Sequence, residues 1–273
     1  MRIGMAQLSA GTDPDANLRL VAAAVEQAAA QGAEVLVCPE ATMCRFGVPL
    51  GPVAQPIDGP WANAVVELAQ ANRMTIIAGM FTPGDSDRIV NTVLVAQPDG
   101  TRTGYHKIHL YDAFGFRESD TVAPGETAVV VEVNGVKIGL ATCYDIRFPA
   151  LFTALAAHGA EVIVVPASWG AGPGKVAQWQ VLATARALDA AAFVVAVGQA
   201  EPTDEKARRS SAPTGVGHSQ ISDPFGSVVA SYGGEERIDV HDIDLEVVPR
   251  AREALGVLAN QRAFRFATDP TPA

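Results

Sequence analysis

The sequence predicts an α/β protein in which two mixed β-sheets pack face to face and are covered on their outer faces by helices. One observation behind this prediction is an internal repeat: residues 32–39, GAEVLVCP, resemble residues 159–166, GAEVIVVP, and each copy follows a helical pattern and enters an apolar strand. Another is the hydrophobic content of 48%, with a mean hydropathy of +0.16, which predicts a large core. Because no linker separates the halves, we expect a single domain over residues 1–273, with an irregular tail from about residue 266.

The first half of the chain alternates strand and helix patterns. Alternating apolar residues predict a strand at 2–8, and the spacing of apolar residues predicts an alanine-rich helix at 16–31 that ends at Gly32. Pro60 stands at the start of a second helix, which extends to about residue 71. Further strands are predicted at 35–38, 74–81, 89–96 and 101–106, followed by a loop at 108–126.

The second half begins with a hairpin and then returns to alternating strands and helices. Asn134-Gly135 is a strong hairpin signal between strands at 127–133 and 136–142. Helices are predicted at 149–158, at 175–190 and around 246–255. Strands are predicted at 161–165, 192–198, near 217–222, near 227–232 and at 236–243, and the polar segment 200–216 is expected to be mobile.

Charge and composition exclude several classes of partner. A formal net charge of −10 and a pI near 4.9 argue against binding to nucleic acid or to an anionic membrane surface, both of which need clustered Lys and Arg. Residues 1–10 lack the pattern of a secretory signal peptide, and no uninterrupted apolar run reaches the ~18 residues of a membrane helix. Three cysteines without framework spacing predict a reducing, cytoplasmic location.

Cys143 ends an apolar strand and precedes Pro149, where a helical pattern begins. A thiol at such a strand–turn–helix junction lies at the carboxyl edge of a sheet, close to the free amides of a helix N-terminus. Amides and the helix dipole favour a thiolate and the oxyanion that forms when it attacks a carbonyl. By position alone, Cys143 could equally be a buried core cysteine, so the remaining residues must decide between the two interpretations.

Two further reactive groups, Glu40 and Lys107, also follow predicted strands. Taken singly, a glutamate after a proline and a lysine between histidines are most often solvated surface residues. Together with Cys143 they form a coherent set, because Glu40 can accept the thiol proton and Lys107 can balance the charge of a tetrahedral intermediate. The backbone amide of Tyr144 would be a second donor to the oxyanion.

The chain resembles the carbon–nitrogen hydrolase (nitrilase) superfamily over about residues 1–250. The resemblance is carried by three motifs in the order of that family, at residues 38–40 (CPE), 105–110 (YHKIHL) and 139–149 (GLATCYDIRFP). It implies an α-β-β-α sandwich that commonly dimerises through its helical layers, so a homodimer or a larger homo-oligomer is expected. It also implies a triad of Glu40 as base, Lys107 as electrostatic partner and Cys143 as nucleophile, with Glu118 orienting Lys107 and the substrate.

The implied reaction is hydrolysis of a non-peptide C–N bond through a cysteine thioester, with no metal or organic cofactor. The motifs most resemble the small amidases of the family, which include omega-amidase and deaminated-glutathione amidase and whose substrates carry a carboxylate beside the amide. Arg147 is then either an anion contact or part of a structural salt bridge. Ser168, Trp169 and the 111–116 loop are expected to border the substrate pocket. Because Trp169 and the 111–116 loop depart from the usual family pattern, no specific substrate follows from the resemblance.

Several alternatives remain beside an amidase. A nitrilase or an N-carbamoyl amidohydrolase would use the same triad, and a non-catalytic binding module would use none of it. A cysteine–histidine hydrolase is not favoured, because no histidine in the sequence stands in a context typical of thiol proteases. His106 and His109 lack a third ligand at metal-binding spacing. The Gly172–Lys175 segment resembles part of a phosphate loop, but Val176 stands where Ser or Thr is required.

Overall fold

The computed structural model describes residues 1–85 and 87–264. The strands are β1 (Arg2–Gln7), β2 (Val35–Val37), β3 (Thr75–Pro83), β4 (Ile89–Ala96), β5 (Arg102–His106), β6 (Asp112–Ala113), β7 (Phe116–Arg117), β8 (Val122–Ala123), β9 (Val130–Val133), β10 (Val136–Leu140), β11 (Val162–Ala167), β12 (Phe193–Gly198), β13 (Gln220–Ser222), β14 (Val228–Ser231) and β15 (Arg237–Asp242). The helices are α1 (Pro14–Ala30), α2 (Pro60–Asn72), α3 (Pro149–Ala157), α4 (Lys175–Ala190), α5 (Glu205–Arg208) and α6 (Val247–Leu255).

Local sequence explains where several of these elements begin and turn. Pro14, Pro60 and Pro149 each occupy the first position of a helix, where the missing N–H costs nothing and φ is already helical. The Asp13 side chain caps α1 by accepting from the amides of its first turn. The Asn134-Gly135 turn has φ of 51° and 78°, and these left-handed values make the tight hairpin between β9 and β10 that the sequence predicts.

The strands form two large mixed sheets and a small hairpin. The first sheet has the order β15-β1-β2-β3-β4-β5, with β8 also pairing with β4. In this sheet β1, β2 and β3 are mutually parallel. The pairings β15–β1, β3–β4 and β4–β5 are antiparallel, and β8 pairs with β4 in parallel. The second sheet has the order β14-β13-β12-β11-β10-β9, with a parallel centre of β10, β11 and β12. The parallel centre of each sheet therefore has its carboxyl ends on one edge.

The main core lies between the two sheets, and helices cover the outer faces. Side chains such as Val37 and Val95 from the first sheet pack with Leu140 and Val164 from the second, all of them fully buried. Helices α1 and α2 cover the outer face of the first sheet, and α3 and α4 cover that of the second. This confirms the predicted α-β-β-α sandwich.

Two segments differ from the sequence predictions. The predicted loop at 108–126 contains the β6–β7 hairpin, a 3₁₀ turn at Glu118–Asp120 and strand β8. The segment 200–216 includes the short helix α5, which Asp204 caps by accepting from the amides of Lys206 and Ala207. These elements are too short to leave a periodic signal. The predicted irregular tail from about residue 266 lies outside the described residues. In the described part of the chain, no helix combines the length and the apolar character needed to cross a membrane.

Candidate active site

Three reactive side chains from different strand ends meet between the two sheets. Glu40 follows β2 and Lys107 follows β5 in the first sheet, while Cys143 follows β10 in the second. Glu40 is completely buried, Lys107 is 1% exposed and Cys143 is 6% exposed. Residues that sequence reasoning grouped by chemistry alone are therefore brought together by the packing of the sheets.

The Glu40 carboxylate is fixed by three donors. Its Oε1 accepts from Lys107 Nζ at 2.8 Å and from Asn91 Nδ2 at 2.8 Å, and its Oε2 accepts from the backbone N–H of Ser168 at 2.8 Å. The Ser168 carbonyl in turn accepts from the Cys143 thiol at 3.8 Å. The short segment after β11 thus ties the carboxylate to the thiol.

The backbone around Glu40 depends on a glycine in the neighbouring strand. A Cβ built on Gly79 of β3 would lie 2.5 Å from the backbone nitrogen of Ala41 and 2.7 Å from the Cα of Glu40. Ala41 itself has a left-handed φ of 58°. The chain can therefore bring the Glu40 carboxylate into the site only because position 79 has no side chain.

Lys107 lies between two carboxylates. Its Nζ donates to Glu40 Oε1 and to Glu118 Oε2, each at 2.8 Å. Burial opposes the charged ammonium, but the carboxylates of Glu118 and Glu40 outweigh it and raise the pKa of Lys107 well above its usual value. Lys107 is therefore a permanent cation at neutral pH, suited to hold negative charge rather than to transfer a proton.

Glu118 belongs to the same buried cluster, as the resemblance implies. It is 2% exposed, and besides Lys107 its Oε2 accepts from the backbone N–H of Tyr111 at 2.7 Å. Asn91 Nδ2 bridges the two glutamates, donating to Glu118 Oε1 at 2.9 Å as well as to Glu40. Two carboxylates, one ammonium and one amide form a closed network.

Cys143 sits on a strained turn rather than at the start of a long helix. Its φ is 46°, in the left-handed region, and residues Cys143–Arg147 form a 3₁₀ helix before α3 begins at Pro149. The strand–turn–helix prediction is correct in outline. The thiol lies at the start of a helix, as expected, but this helix is a short 3₁₀ helix, and the next α-helix, α3, begins six residues later.

The turn is held by Asp145, which is completely buried. One carboxylate oxygen accepts from the Thr142 N–H at 2.8 Å and from the Tyr105 hydroxyl at 2.7 Å. The other accepts from the His109 N–H at 2.9 Å and lies 2.7 Å from His109 Nδ1. Since Tyr105 belongs to β5 of the first sheet, Asp145 ties the cysteine turn to the opposite sheet.

The surroundings of Cys143 keep it as a thiol in the resting protein. Burial, and then the negative charge of Glu40, raise its pKa well above the usual value, and Lys107 only partly opposes them. The sequence-based expectation of a stabilised thiolate is therefore wrong for the resting state. A thiol that stays protonated needs a base at the moment of attack, and the Glu40 carboxylate is adjacent.

The thiol opens into a small chamber with an empty volume of about 220 Å³. The chamber is lined by Tyr111, Cys143, Tyr144, Ser168, Trp169, Gly170, Lys175 and Pro213. The adjoining groove, which shares Tyr111 and Lys175 with the chamber, has an empty volume of about 890 Å³, so the space nearest the thiol is comparatively small and favours a small acyl group.

Tyr144, Ser168 and Trp169 lie at the chamber wall, as expected. The Ser168 hydroxyl donates to the carbonyl of Pro213 at 2.7 Å. Ser168 therefore contacts Glu40 and Cys143 through its backbone and not through its side chain. The Trp169 indole N–H donates to the carbonyl of Lys175 at 2.9 Å, which fixes the ring.

Arg147 stands behind this wall rather than in it. Its guanidinium carbon lies 5.1 Å from the Trp169 ring centroid and 5.9 Å from that of Tyr144, and Nη2 donates to Gln178 Oε1 at 2.7 Å. Among the described residues no carboxylate pairs with Arg147. The structural salt bridge that the sequence left open is therefore not formed there.

The other cysteines are far less suited to chemistry. Cys38 and Cys44 are completely buried, and burial raises the pKa of Cys38 to about 12. Within residues 1–85 and 87–264, no group of three or more His, Cys, Asp or Glu side chains is arranged to hold a metal ion.

Sequence reasoning missed two residues of the site: Asn91 and Lys175. Asn91 carried a usable signal, because an amide is unusual in the largely apolar pattern of strand β4. In the structure its side chain is buried. Lys175 was noticed only as part of a failed phosphate-loop match. Tyr111 lies at the chamber, in agreement with the expectation that the 111–116 loop borders the pocket.

This arrangement is suited to nucleophilic acyl chemistry. A thiol faces a small chamber, a carboxylate stands beside it to accept its proton, and a permanent ammonium is close by to stabilise an oxyanion. The same groups can protonate a leaving amine and activate water.

Comparison with known proteins agrees with this geometry. The carbon-nitrogen hydrolase family model matches residues 2–253. A hydrolase of Mycobacterium tuberculosis strain H37Rv is 54% identical over 270 residues, which are 97% of this chain and 96% of that protein. The deaminated glutathione amidase of Escherichia coli O157:H7 is 34% identical over 266 residues, which are 96% of this chain and 97% of that protein.

The structure of an amidase also matches the chain. It is a glutamate-to-glutamine mutant of the amidase from Nesterenkonia sp. AN1, and it shows the acetamide moiety of fluoroacetamide added covalently at the active-site cysteine. The two folds superpose with a TM-score of 0.80 at 25% identity, covering 96% of this chain and 94% of that one.

These matches confirm the resemblance that the three sequence motifs carry. The family model covers nearly the whole chain, and the relatives match it from end to end. The chain therefore belongs to the carbon–nitrogen hydrolase family.

Proposed function

We propose that the protein hydrolyses a small carboxylated amide to the corresponding acid and ammonia through a thioester on Cys143. The observation that carries the proposal is the contact of Glu40 with Lys107 at 2.8 Å beside a buried thiol that faces a small chamber. Family membership and the amidase names of two of the matched proteins support the same reaction class.

In the first half of the reaction, the Cys143 sulfur attacks the amide carbon while Glu40 takes the thiol proton. The carbonyl electron pair moves onto oxygen, where the Lys107 ammonium and the backbone N–H of Tyr144 stabilise it. The carbonyl then re-forms, the C–N bond breaks, and the protonated Glu40 gives its proton to the leaving nitrogen. Ammonia departs and the acyl group remains on sulfur.

In the second half, water attacks the thioester and Glu40 accepts a proton from it. The C–S bond breaks, the carboxylic acid leaves, and the sulfur recovers its proton from Glu40. The groups that act on the amide thus act again on the thioester. Glu118 holds Lys107 in place through the 2.8 Å contact and is a positioning residue in this scheme.

Two features support a small, anionic amide rather than a larger neutral one. The space nearest the thiol, with an empty volume of about 220 Å³, favours a short acyl group. Positive charge from Arg147 stands directly behind the aromatic wall formed by Tyr144 and Trp169. A nitrile or an N-carbamoyl compound could use the same triad and is the alternative to be tested with the amide.

Ammonia release from a panel of small amides, nitriles and N-carbamoyl compounds tests the proposal. The panel includes ω-amides of 2-oxo dicarboxylic acids and deaminated glutathione. Release from a carboxylated amide should disappear in Cys143→Ala and persist in Cys44→Ala, which also removes a buried thiol. An acyl adduct on Cys143, seen by intact mass, is expected during turnover. Turnover by Cys143→Ala would disprove the thioester route. A preference for nitriles would show that the proposed substrate class, carboxylated amides, is wrong.

We also infer that the chain forms a homodimer. Val181 and Leu188, seven positions apart on α4, are exposed by 64% and 38%, and Phe225 and Val228 at β14 and its turn are exposed by 45% and 51%. The Leu188 side chain lies near the turn at Gly226, so these groups form one apolar face over the helical layer. Light scattering should give twice the chain mass, and Val181→Asp should shift it towards the monomer. A monomeric parent protein would contradict the inference.

A cytoplasmic location is the remaining part of the proposal. Cys38, Cys44 and Cys143 are all unpaired and buried, which is typical of proteins in a reducing compartment. Cell fractionation should recover the protein with cytoplasmic markers, and recovery with secreted proteins would contradict this assignment.

A further inference from the structure

Lys175 is a buried cation in the wall of the chamber that holds the Cys143 thiol. It is the first residue of α4 and is 7% exposed. Its Nζ lies 3.3 Å from the centroid of the Phe114 ring and 3.3 Å from the Tyr111 hydroxyl. The ammonium is thus held by aromatic groups and a single neutral hydrogen-bond partner.

No carboxylate within residues 1–85 and 87–264 forms an ion pair with Lys175. The two glutamates of the site, Glu40 and Glu118, are already matched to Lys107 at 2.8 Å each. A buried charge is costly unless it is paired, so an unpaired buried ammonium indicates that its partner comes from outside the chain.

Arg147 increases the excess of positive charge. Burial and then the Arg147 guanidinium lower the pKa of Lys175, so the two cations are close enough to repel each other. Both pack against the Trp169 and Phe114 rings, with Lys175 on the chamber side and Arg147 behind it. An anion in the chamber would relieve this repulsion and complete the contacts of Lys175.

We propose that Lys175 binds the carboxylate of the substrate and determines the preference of the site for anionic amides. Arg147 supports it with a second positive charge behind the wall. The substrate preference rests on the function proposed above. Binding of an anion at Lys175 does not depend on turnover.

The position of Lys175 also fixes the direction in which the substrate lies. Lys175 and Tyr111 line both the inner chamber and a larger outer groove with an empty volume of about 890 Å³. Lys175 therefore stands where the chamber opens, and Cys143 lines the inner space. The substrate places its amide at the thiol and its carboxylate towards the opening, which suits the ω-amide of a short dicarboxylic acid.

Lys175→Met tests this with a matched pair of substrates, succinamate and its neutral methyl ester. The variant keeps the length of the side chain and the backbone carbonyl that accepts from Trp169. We expect kcat/KM for succinamate to fall about thirtyfold through KM, equivalent to a loss of about 2 kcal/mol. The value for the ester should change less than about threefold. Lys206→Met, which removes the same charge from an exposed position of α5, is the control and should change neither value.

Binding without turnover separates this inference from the proposed reaction. Titration calorimetry of succinamate and glutaramate into Cys143→Ala should give a Kd that rises about thirtyfold in the Cys143→Ala/Lys175→Met protein. Cys143→Ala/Lys175→Arg should recover most of the affinity, because it retains the charge. Equal affinity with and without Lys175, or no binding of either anion to Cys143→Ala, would overturn the inference. Lys175-dependent binding by a protein whose wild type releases no ammonia would refute the proposed function and leave the anion site intact.

Discussion

Replacing Asn91 by alanine should weaken both folding and turnover, although Asn91 itself has no reactive group. Its Nδ2 donates to Glu40 at 2.8 Å and to Glu118 at 2.9 Å, inside a cluster that excludes water. A hydrogen bond to a charged acceptor contributes about 1.5–3 kcal/mol, so the two together contribute about 3–6 kcal/mol. The Asn91 Oδ1 is buried without a hydrogen-bond partner among the described residues, and removing it returns about 1–3 kcal/mol. The middle of these ranges gives a net loss of about 2.5 kcal/mol.

Urea unfolding followed by circular dichroism measures this loss. For a chain of this size it corresponds to a fall in Tm of about 5–10 °C. Because Glu40 loses a donor that fixes its position, kcat should also fall by about tenfold to a hundredfold, the effect expected when a reacting group is misplaced by about 1 Å. Activity is measured well below the Tm of the variant, so that unfolded protein does not contribute.

Thr92→Val is the matched control for Asn91→Ala. Thr92 is the next residue of β4 and is equally buried, but its hydroxyl pairs with that of Thr82 at 2.8 Å and touches neither glutamate. This variant should lose about 1 kcal/mol of stability and keep its kcat. A change below about 0.5 kcal/mol with full activity in Asn91→Ala would refute the reasoning, since it would mean that the two glutamates do not depend on the bridge.

Three further changes test the site. Glu40→Gln should lower kcat by at least about a hundredfold because the base is lost. In the same variant, alkylation of Cys143 by iodoacetamide should occur at lower pH, since the Glu40 charge raises the pKa of that thiol. An unchanged pH profile of alkylation would contradict this. Lys107→Met should destabilise the protein by about 3–5 kcal/mol, because Glu40 and Glu118 are left buried without a counter-charge. The pKa of Lys107 is raised in the folded state, so its contribution to stability is complete below the unfolded-state pKa of ~10.4 and is lost as the pH rises through the folded-state pKa. A Lys107→Met variant whose urea midpoint at pH 7 matches that of the wild type would contradict this. Gly79→Ala should displace the Glu40 backbone, because the new Cβ would lie 2.5 Å from the backbone nitrogen that follows Glu40. Most turnover should be lost, while Cys143 can still be alkylated. A fully active variant would contradict the geometry.

Much of the fold is predictable from sequence because its signals are local. Helix α2 begins where Pro60 fixes φ, the β9–β10 hairpin turns at Asn134-Gly135, and the strands of both sheets are apolar runs bounded by turn residues. The repeat at 32–39 and 159–166 correctly indicates two similar halves, since each copy leads from a helix into a central parallel strand, β2 or β11. The short elements β6, β7, β8 and α5 escaped prediction because they are stabilised by their neighbours rather than by their own periodicity.

The sequence by itself also determined which groups could react: Glu40, Lys107 and Cys143 each stand at the end of a strand, in motifs whose order identifies the family. Only the tertiary structure determined the protonation states of these groups. The thiol stays protonated because burial and the charge of Glu40 act on it at once, a balance that depends on distances between two sheets. Tertiary structure likewise placed Lys175 in the chamber wall, unpaired, because it brings the start of α4 against the segment after β5 across more than sixty residues of chain. Local pattern sets where a side chain points along its own element, and only the packing of distant elements sets which charges it meets.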